Sequence, residues 1–275
     1  MRVKRVKRWR RRLLLLSLMF GAVFFLEQRY GCMRLRNIEI TPTSSVSDSV
    51  VWRAVPKEAE TFWPALLLRG RRFTRMIENF YPVRLTVRLT GWGRYRVTVE
   101  PLDVFLSVSW NKNMWLLSAN GRMWLAKLQA NSKVRGIAIP QRPILAWDAG
   151  LPLPIDPENQ RGDIYPSSLP MTRIRKWYDA LEEMGWNDKI YCLRAKKIDG
   201  RPVVQILLGS DAGITGELIV KDDPKDWASF AAAFEEIYPG LGGIPSGLVV
   251  NATFAGMRFT TFVDMKRTVT SMDVR

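Results

Sequence analysis

An α+β fold is predicted from three observations: an uncharged apolar run near the N-terminus, a following stretch that mixes helical and strand periodicity, and a C-terminal region of hairpin signals interrupted by two amphipathic helices. The expected layout is a basic head over 1–12, a transmembrane anchor over 13–30, a small domain of order β-α-α-β-β over 34–103, and a mostly antiparallel β domain with packed helices over 104–275. At 275 residues the chain has room for two cores, and 47% apolar content excludes a disordered polymer.

The formal net charge is +16, and Arg2, Lys4, Arg5, Lys7, Arg8, Arg10, Arg11 and Arg12 supply half of it without an acid among them. This block runs straight into "LLLLSLMFGAVFFL", Leu13 to Leu26, so a bilayer rather than a nucleic acid is the expected neighbour. At helical rise those residues reach only about 21 Å, short of about 30 Å of hydrocarbon. With Arg10, Arg11 and Arg12 snorkelling, and Trp9 and Tyr30 at the two interfaces, the helix reaches about 33 Å and can span. "EQRYGCM" offers no small-residue cleavage site. The expectation is an uncut anchor in the cytoplasmic membrane, N-terminus in the cytoplasm, everything after Tyr30 outside.

Beyond the anchor, "RLRNIEIT" alternates as an opening strand, and "SSVSDSVVWRAVP" reads as a helix ending at Pro56. Phe73, Met76, Ile77 and Phe80 fall at i, i+3, i+4 and i+7, which predicts a second helix. "RLTVRL" and "RYRVTV" alternate about a "TGWG" turn, a hairpin.

From Val104 the pattern changes. "VFLSVSW" precedes "MWLLSANGRMWL", in which Asn120-Gly121 is the strongest short hairpin signal in the chain. The proline-rich "IPQRPILAWDAGLPLPIDPENQ" is expected to wrap the surface without regular structure. "MTRIRKWYDALEEMG" turns Ile174, Trp177, Tyr178 and Leu181 to one face and stops at Gly185. "DPKDWASFAAAFEEIYPG" opens at Asp223-Pro224 and turns Trp227, Phe230, Phe234 and Ile237 inward. Strands are expected at "KIYCLRAKK", "RPVVQILLG", "GELIV", "GLVVNATF" and "RFTTFVDMK".

The chain has no histidine, which removes Ser-His-Asp and Cys-His nucleophile pairs and HExxH sites together. Its two cysteines, Cys32 and Cys192, make no metal cluster and are expected to be free. "PGLGGIPSG" lacks the spacing and lysine of a phosphate loop. Glu182, Glu183, Glu235 and Glu236 fall on the outer helix faces. No catalytic residue, metal or cofactor is expected, and the carboxylates leave room only for glycosidase-type chemistry.

Several stretches together are similar to the bacterial cell-division family FtsQ/DivIB. They are "YPVRLTVRLTGWGRYRVTVEPLDV", "NMWLLSANGRMWL", Leu169-Pro170 before a helix, "QILLG" at Gln205 to Gly209, and "FVDMKR" at Phe262 to Arg267, in the family's order. The sequence departs from the pattern at Asp103, where proline is usual, and at Arg267, where an aromatic residue is common. The resemblance implies a POTRA domain followed by a β domain. It also implies a non-catalytic septal scaffold that holds FtsB/DivIC and FtsL-like partners, with no nucleic acid and no small-molecule substrate. By the same resemblance, Thr260, Thr261, Phe262, Val263, Asp264, Met265, Lys266 and Arg267 form the region that accepts a partner strand. Lys266 would face a partner carboxylate, and Phe262 would pack beside the added strand. The rival expectation is an exported wall-active enzyme using paired carboxylates, marked by two acids in a concave site with one pKa raised.

Overall fold

The structure, a computed structural model, describes residues 12–23, 25, 31, 33–41, 46–131, 137–159, 161–210, 213–242, 244–245, 247–253, 258–263 and 266–271. It is an α+β protein of mainly strand content. Residues 12–23 and 25 are helical and belong to α1. Among the described residues, no helix is long and apolar enough to cross a membrane. This corrects the expected transmembrane anchor over 13–30, and with it the single-pass localisation in the cytoplasmic membrane. Arg12 and Leu13 lie in α1, whereas Trp9, Arg11, Leu26 and Tyr30 lie outside the described residues.

The chain divides into two compact units, one of residues 1–78 and 83–101, the other of 79–82 and 102–275. In the first, β1 (Asn37–Thr41) pairs parallel with β3 (Arg94–Pro101), which pairs antiparallel with β2 (Val83–Gly91). Among the described residues four short helices, not two, lie between β1 and β2: α2 (Asp48–Ala54), α3 (Lys57–Thr61), α4 (Pro64–Leu68) and α5 (Gly70–Glu78). Prolines mark two of the three breaks between these helices. Pro56 precedes α3 and Pro64 opens α4, each at a helix start, where a missing N–H is harmless and where continuation of the preceding helix is blocked. Val51, Ala59, Leu66, Phe73 and Ile77 are buried, as are Leu85, Tyr95, Val97 and Val99 of the sheet. The expected four-residue stripe on α5 is narrower than its spacing implied, since Met76 is largely exposed and Phe80 lies beyond the helix.

The second unit is one long sheet. Its strands in chain order are β4 (Val104–Trp110), β5 (Asn113–Ser118), β6 (Arg122–Leu125), β7 (Ile144–Trp147), β8 (Tyr165–Pro166), β9 (Ile190–Ile198), β10 (Arg201–Ser210), β11 (Gly213–Lys221), β12 (Leu248–Asn251), β13 (Arg258–Val263) and β14 (Lys266–Ser271). In space they run β14-β13-β12-β11-β10-β9-β7-β4-β5-β6-β8. Antiparallel pairing dominates, with parallel joins at β4/β7, β7/β9 and β11/β12. A parallel neighbour needs a crossover, and two of these joins have a helix as theirs: α7 (Met171–Glu183) between β7 and β9, and α8 (Trp227–Ile237) between β11 and β12. A third helix, α6 (Ala126–Asn131), follows β6.

All four expected residues of α7, Ile174, Trp177, Tyr178 and Leu181, are buried in the main core with Trp227, Ala231 and Phe234 of α8. Ile237 is exposed and Phe230 only partly covered, so α8 packs through a narrower face than its apolar content suggests. The irregular wrap expected over residues 139–160 contains β7, whose Leu145 is fully buried between β4 and β9. Cys192 is buried and free; Cys32 lies outside the described residues.

Two glycines at hairpin turns give a direct test of the backbone. Gly93, at φ +67°, accepts hydrogen bonds from Arg36 and Asn37 through its carbonyl, and a Cβ there would come within 2.7 Å of the Arg34 carbonyl oxygen. Gly121, at φ +78°, has open space around the same position. Gly121→Ala should therefore cost only the left-handed penalty of about 1–2 kcal/mol. Gly93→Ala should cost clearly more, because it must also move the lead-in to β1. Urea unfolding of the two full-length variants checks the order, and equal losses would contradict it.

Candidate partner edge and charged cleft

The region expected to accept a partner strand is built from two strands rather than one. Thr260, Thr261, Phe262 and Val263 end β13; Asp264 and Met265 lie outside the described residues; Lys266 and Arg267 open β14. On its inner side β13 pairs antiparallel with β12, Leu248 opposite Thr261 and Val250 opposite Phe259. On its outer side it pairs antiparallel with β14, Phe262 opposite Arg267 and Val263 opposite Lys266. Thr260 and Thr261 thus have a strand on either side, whereas the ladder with β12 ends at Thr261 and Phe262 and Val263 pair with β14. The outermost position belongs to Lys266–Ser271, and among the described residues no strand pairs beyond it. Leu248 and Val250 are buried, so the pair β13–β14 extends from a strand anchored in the core.

A second feature, absent from the sequence reading, is an open cleft of about 540 Å³ where the start of α7 meets the end of β11. Pro170, Met171, Arg173 and Lys176 form one side, and Asp222, Asp223 and Lys225 the other. Two indoles bond the backbone beside it: Trp177 Nε1 donates to the Asp222 carbonyl at 2.7 Å, and Trp227 Nε1 donates to the Lys221 carbonyl at 3.0 Å. The Arg173 guanidinium pairs with Asp222 Oδ2 at 2.6 Å, while Asp222 Oδ1 is buried with no hydrogen-bond partner among the described residues. Burial raises the Asp222 carboxyl above its ordinary range; Arg173 opposes the shift and neighbouring Asp223 adds to it. Asp223 accepts from the Lys225 amide and lies 3.7 Å from the Lys225 ammonium.

The cleft thus holds two acids, one with a raised pKa, but each has a cation beside it. Both acids also come from adjacent positions in the chain, whereas glycoside hydrolysis needs carboxyls on opposite sides of the scissile bond. Among the described residues no three metal-ligating side chains gather. Glu182, Glu183 and Glu236 are exposed, and Glu235 accepts from Trp186 Nε1 at 2.9 Å with Lys189 at 3.5 Å. The signal for the cleft was available in "DDPKD" after a strand, but nothing in the pattern ties those acids to Arg173, 49 residues away.

The shift at Asp222 carries a linkage consequence. A carboxyl whose pKa is raised by folding favours the native state below its unfolded value, 3.8, and loses that contribution as pH rises through the raised value. Asp222→Asn removes the ionisation. The variant's stability relative to the parent should therefore rise from acid to neutral pH, read by urea unfolding across that range. A difference that is flat or falls with pH would show that burial does not govern this group.

No protein-family model matches the chain, and no curated protein matches it.

Proposed function

We propose that the chain is a non-catalytic assembly scaffold of the bacterial division septum, of the kind the FtsQ/DivIB resemblance implies. It would hold FtsB/DivIC-like and FtsL-like proteins and so link them to septal peptidoglycan synthesis. The observation that carries the reading is the outermost strand Lys266–Ser271, which ends an eleven-stranded sheet with an unpaired outer side among the described residues. An open strand is an aggregation hazard unless something covers it, and a partner strand gains affinity from main-chain hydrogen bonds there. Lys266 and Arg267, at the start of that strand, supply the charge that selects an acidic partner segment. POTRA-type recruitment through the first unit belongs to the same reading.

A second reading rests on the Asp222 cleft: a wall-active enzyme with Asp222 as acid. It predicts lysis of peptidoglycan that Asp222→Asn abolishes. The scaffold reading predicts no lysis by either protein.

Consecutive residues of a strand turn their N–H groups to opposite sides, so of Thr268→Pro and Val269→Pro one removes an outward donor and the other an inward one. The outward variant should keep the parent's melting temperature and lose co-purification of a co-expressed FtsB/DivIC–FtsL-type pair. Lys266→Glu combined with Arg267→Glu should weaken the same co-purification strongly. Normal recovery of the pair by all three variants would place binding elsewhere.

A further inference from the structure

The charge left after the basic head is concentrated in the first unit. Residues 34 to 101 carry twelve arginines and lysines against six carboxylates, and "LLRGRRFTRMI", 67–77, carries four arginines and no acid. In the structure this run crosses from the end of α4 into α5. Phe73 and Ile77 point into the core, which turns Arg71 and Arg75, one helical turn apart, outward together. Arg72 and Met76 are exposed in the same relation beside them. Just before them Leu67 is 51% exposed and Leu68 81% exposed. Arg69 is paired with Glu58 at 2.6 Å, but among the described residues no carboxylate pairs with Arg71 or Arg75.

This arrangement works against the fold that carries it. The first turn of α5 holds Arg71 and Arg72 and no acid, so two cations sit at the positive end of a helix, where carboxylates would stabilise it. Leu68 gains almost nothing from burial. A surface that costs local stability in both charge and hydrophobicity is relieved by a ligand that is anionic and apolar at once. An anionic bilayer is such a ligand: phosphates accept from the arginines while the leucines enter the acyl boundary. A nucleic acid matches only the charge, because aliphatic leucines offer bases nothing to stack on.

We infer that the α4–α5 face, centred on Leu67, Leu68, Arg71, Arg72 and Met76, docks flat on an anionic lipid surface. The contact lies on the surface and crosses nothing. It is independent of the septal-scaffold reading, since it uses the first unit and not the sheet edge.

Hydroxyl-radical footprinting of the full-length chain tests it, because mass spectrometry reads the solvent access of individual side chains. With phosphatidylglycerol-containing vesicles, oxidation of Met76 and of the Leu67–Leu68 peptide should fall several-fold, while Ile214, exposed in the other unit, keeps its rate. All-phosphatidylcholine vesicles, or high salt, should give little protection. Arg71→Glu combined with Arg72→Glu, both at exposed positions, should restore oxidation to the lipid-free level. Unchanged oxidation with anionic vesicles overturns the inference. So does equal protection by both vesicle types that survives the double variant, since the apolar N-terminal run would then be the binding element. Protection by single-stranded DNA or polyglutamate without protection by vesicles assigns the face to another occupant and also overturns it.

Discussion

Two indole hydrogen bonds hold the large unit together at one point. Trp177 of α7 and Trp227 of α8 donate to consecutive carbonyls, Asp222 and Lys221, at the end of β11. Each helix is the crossover of a parallel join, and without crossovers the sheet would break at β7/β9 and β11/β12. Burying an indole demands a partner for its N–H, and bonding both to neighbouring carbonyls locks the two helices to the same stretch of backbone. The position of β12, and of the two strands beyond it, follows from that lock. The candidate partner edge is therefore a downstream consequence of tryptophan packing some distance away in the chain.

The same lock creates the cleft. Because Asp222 must offer its carbonyl to Trp177, its side chain is held at the mouth between α7 and β11, partly desolvated, and takes Arg173 as its counter-ion. The raised pKa and the buried, unpartnered Oδ1 are thus the local cost of a structural device. That origin explains why a pair of acids with one perturbed member arises without the opposed geometry of a catalytic pair.

Much of this was legible in the sequence where burial imposes a period. The face of α7 was readable because Ile174, Trp177, Tyr178 and Leu181 repeat at helical spacing and all four enter the core. The turn at Asn120-Gly121 was readable because Gly121 needs a positive φ. The turn between β4 and β5 was not, since Asn111 and Lys112 adopt positive φ without a glycine to mark it. β7 was hidden among prolines: only Leu145 of its four residues is buried and the other three are half-buried, so no alternation marks the strand. The stretch "RFTTFVDMKR" alternates as a single strand, yet it holds β13 and the start of β14, which pair with each other. The expected accepting region Thr260 to Arg267 therefore draws on both strands, and only its Lys266 and Arg267 belong to the outermost one. The apolar N-terminal run suggests a spanning anchor by its hydrophobicity alone, and among the described residues no helix is long and apolar enough to cross a membrane. The clustering of arginines in residues 34 to 101 was visible as composition, but its meaning came only from the exposure of Leu67 and Leu68 beside them.

The central claim is that the outer side of Lys266–Ser271 is the accepting edge, supported by a sheet whose order the two tryptophans fix. Amide hydrogen exchange of the full-length chain, alone and with a bound FtsB/DivIC–FtsL-type pair, tests it most directly. The account predicts that amides within 266–271 gain protection on binding while those of β12, already paired on both sides, do not change. Protection that appears at the α7–β11 cleft or at the opposite end of the sheet, with 266–271 unchanged, would contradict it.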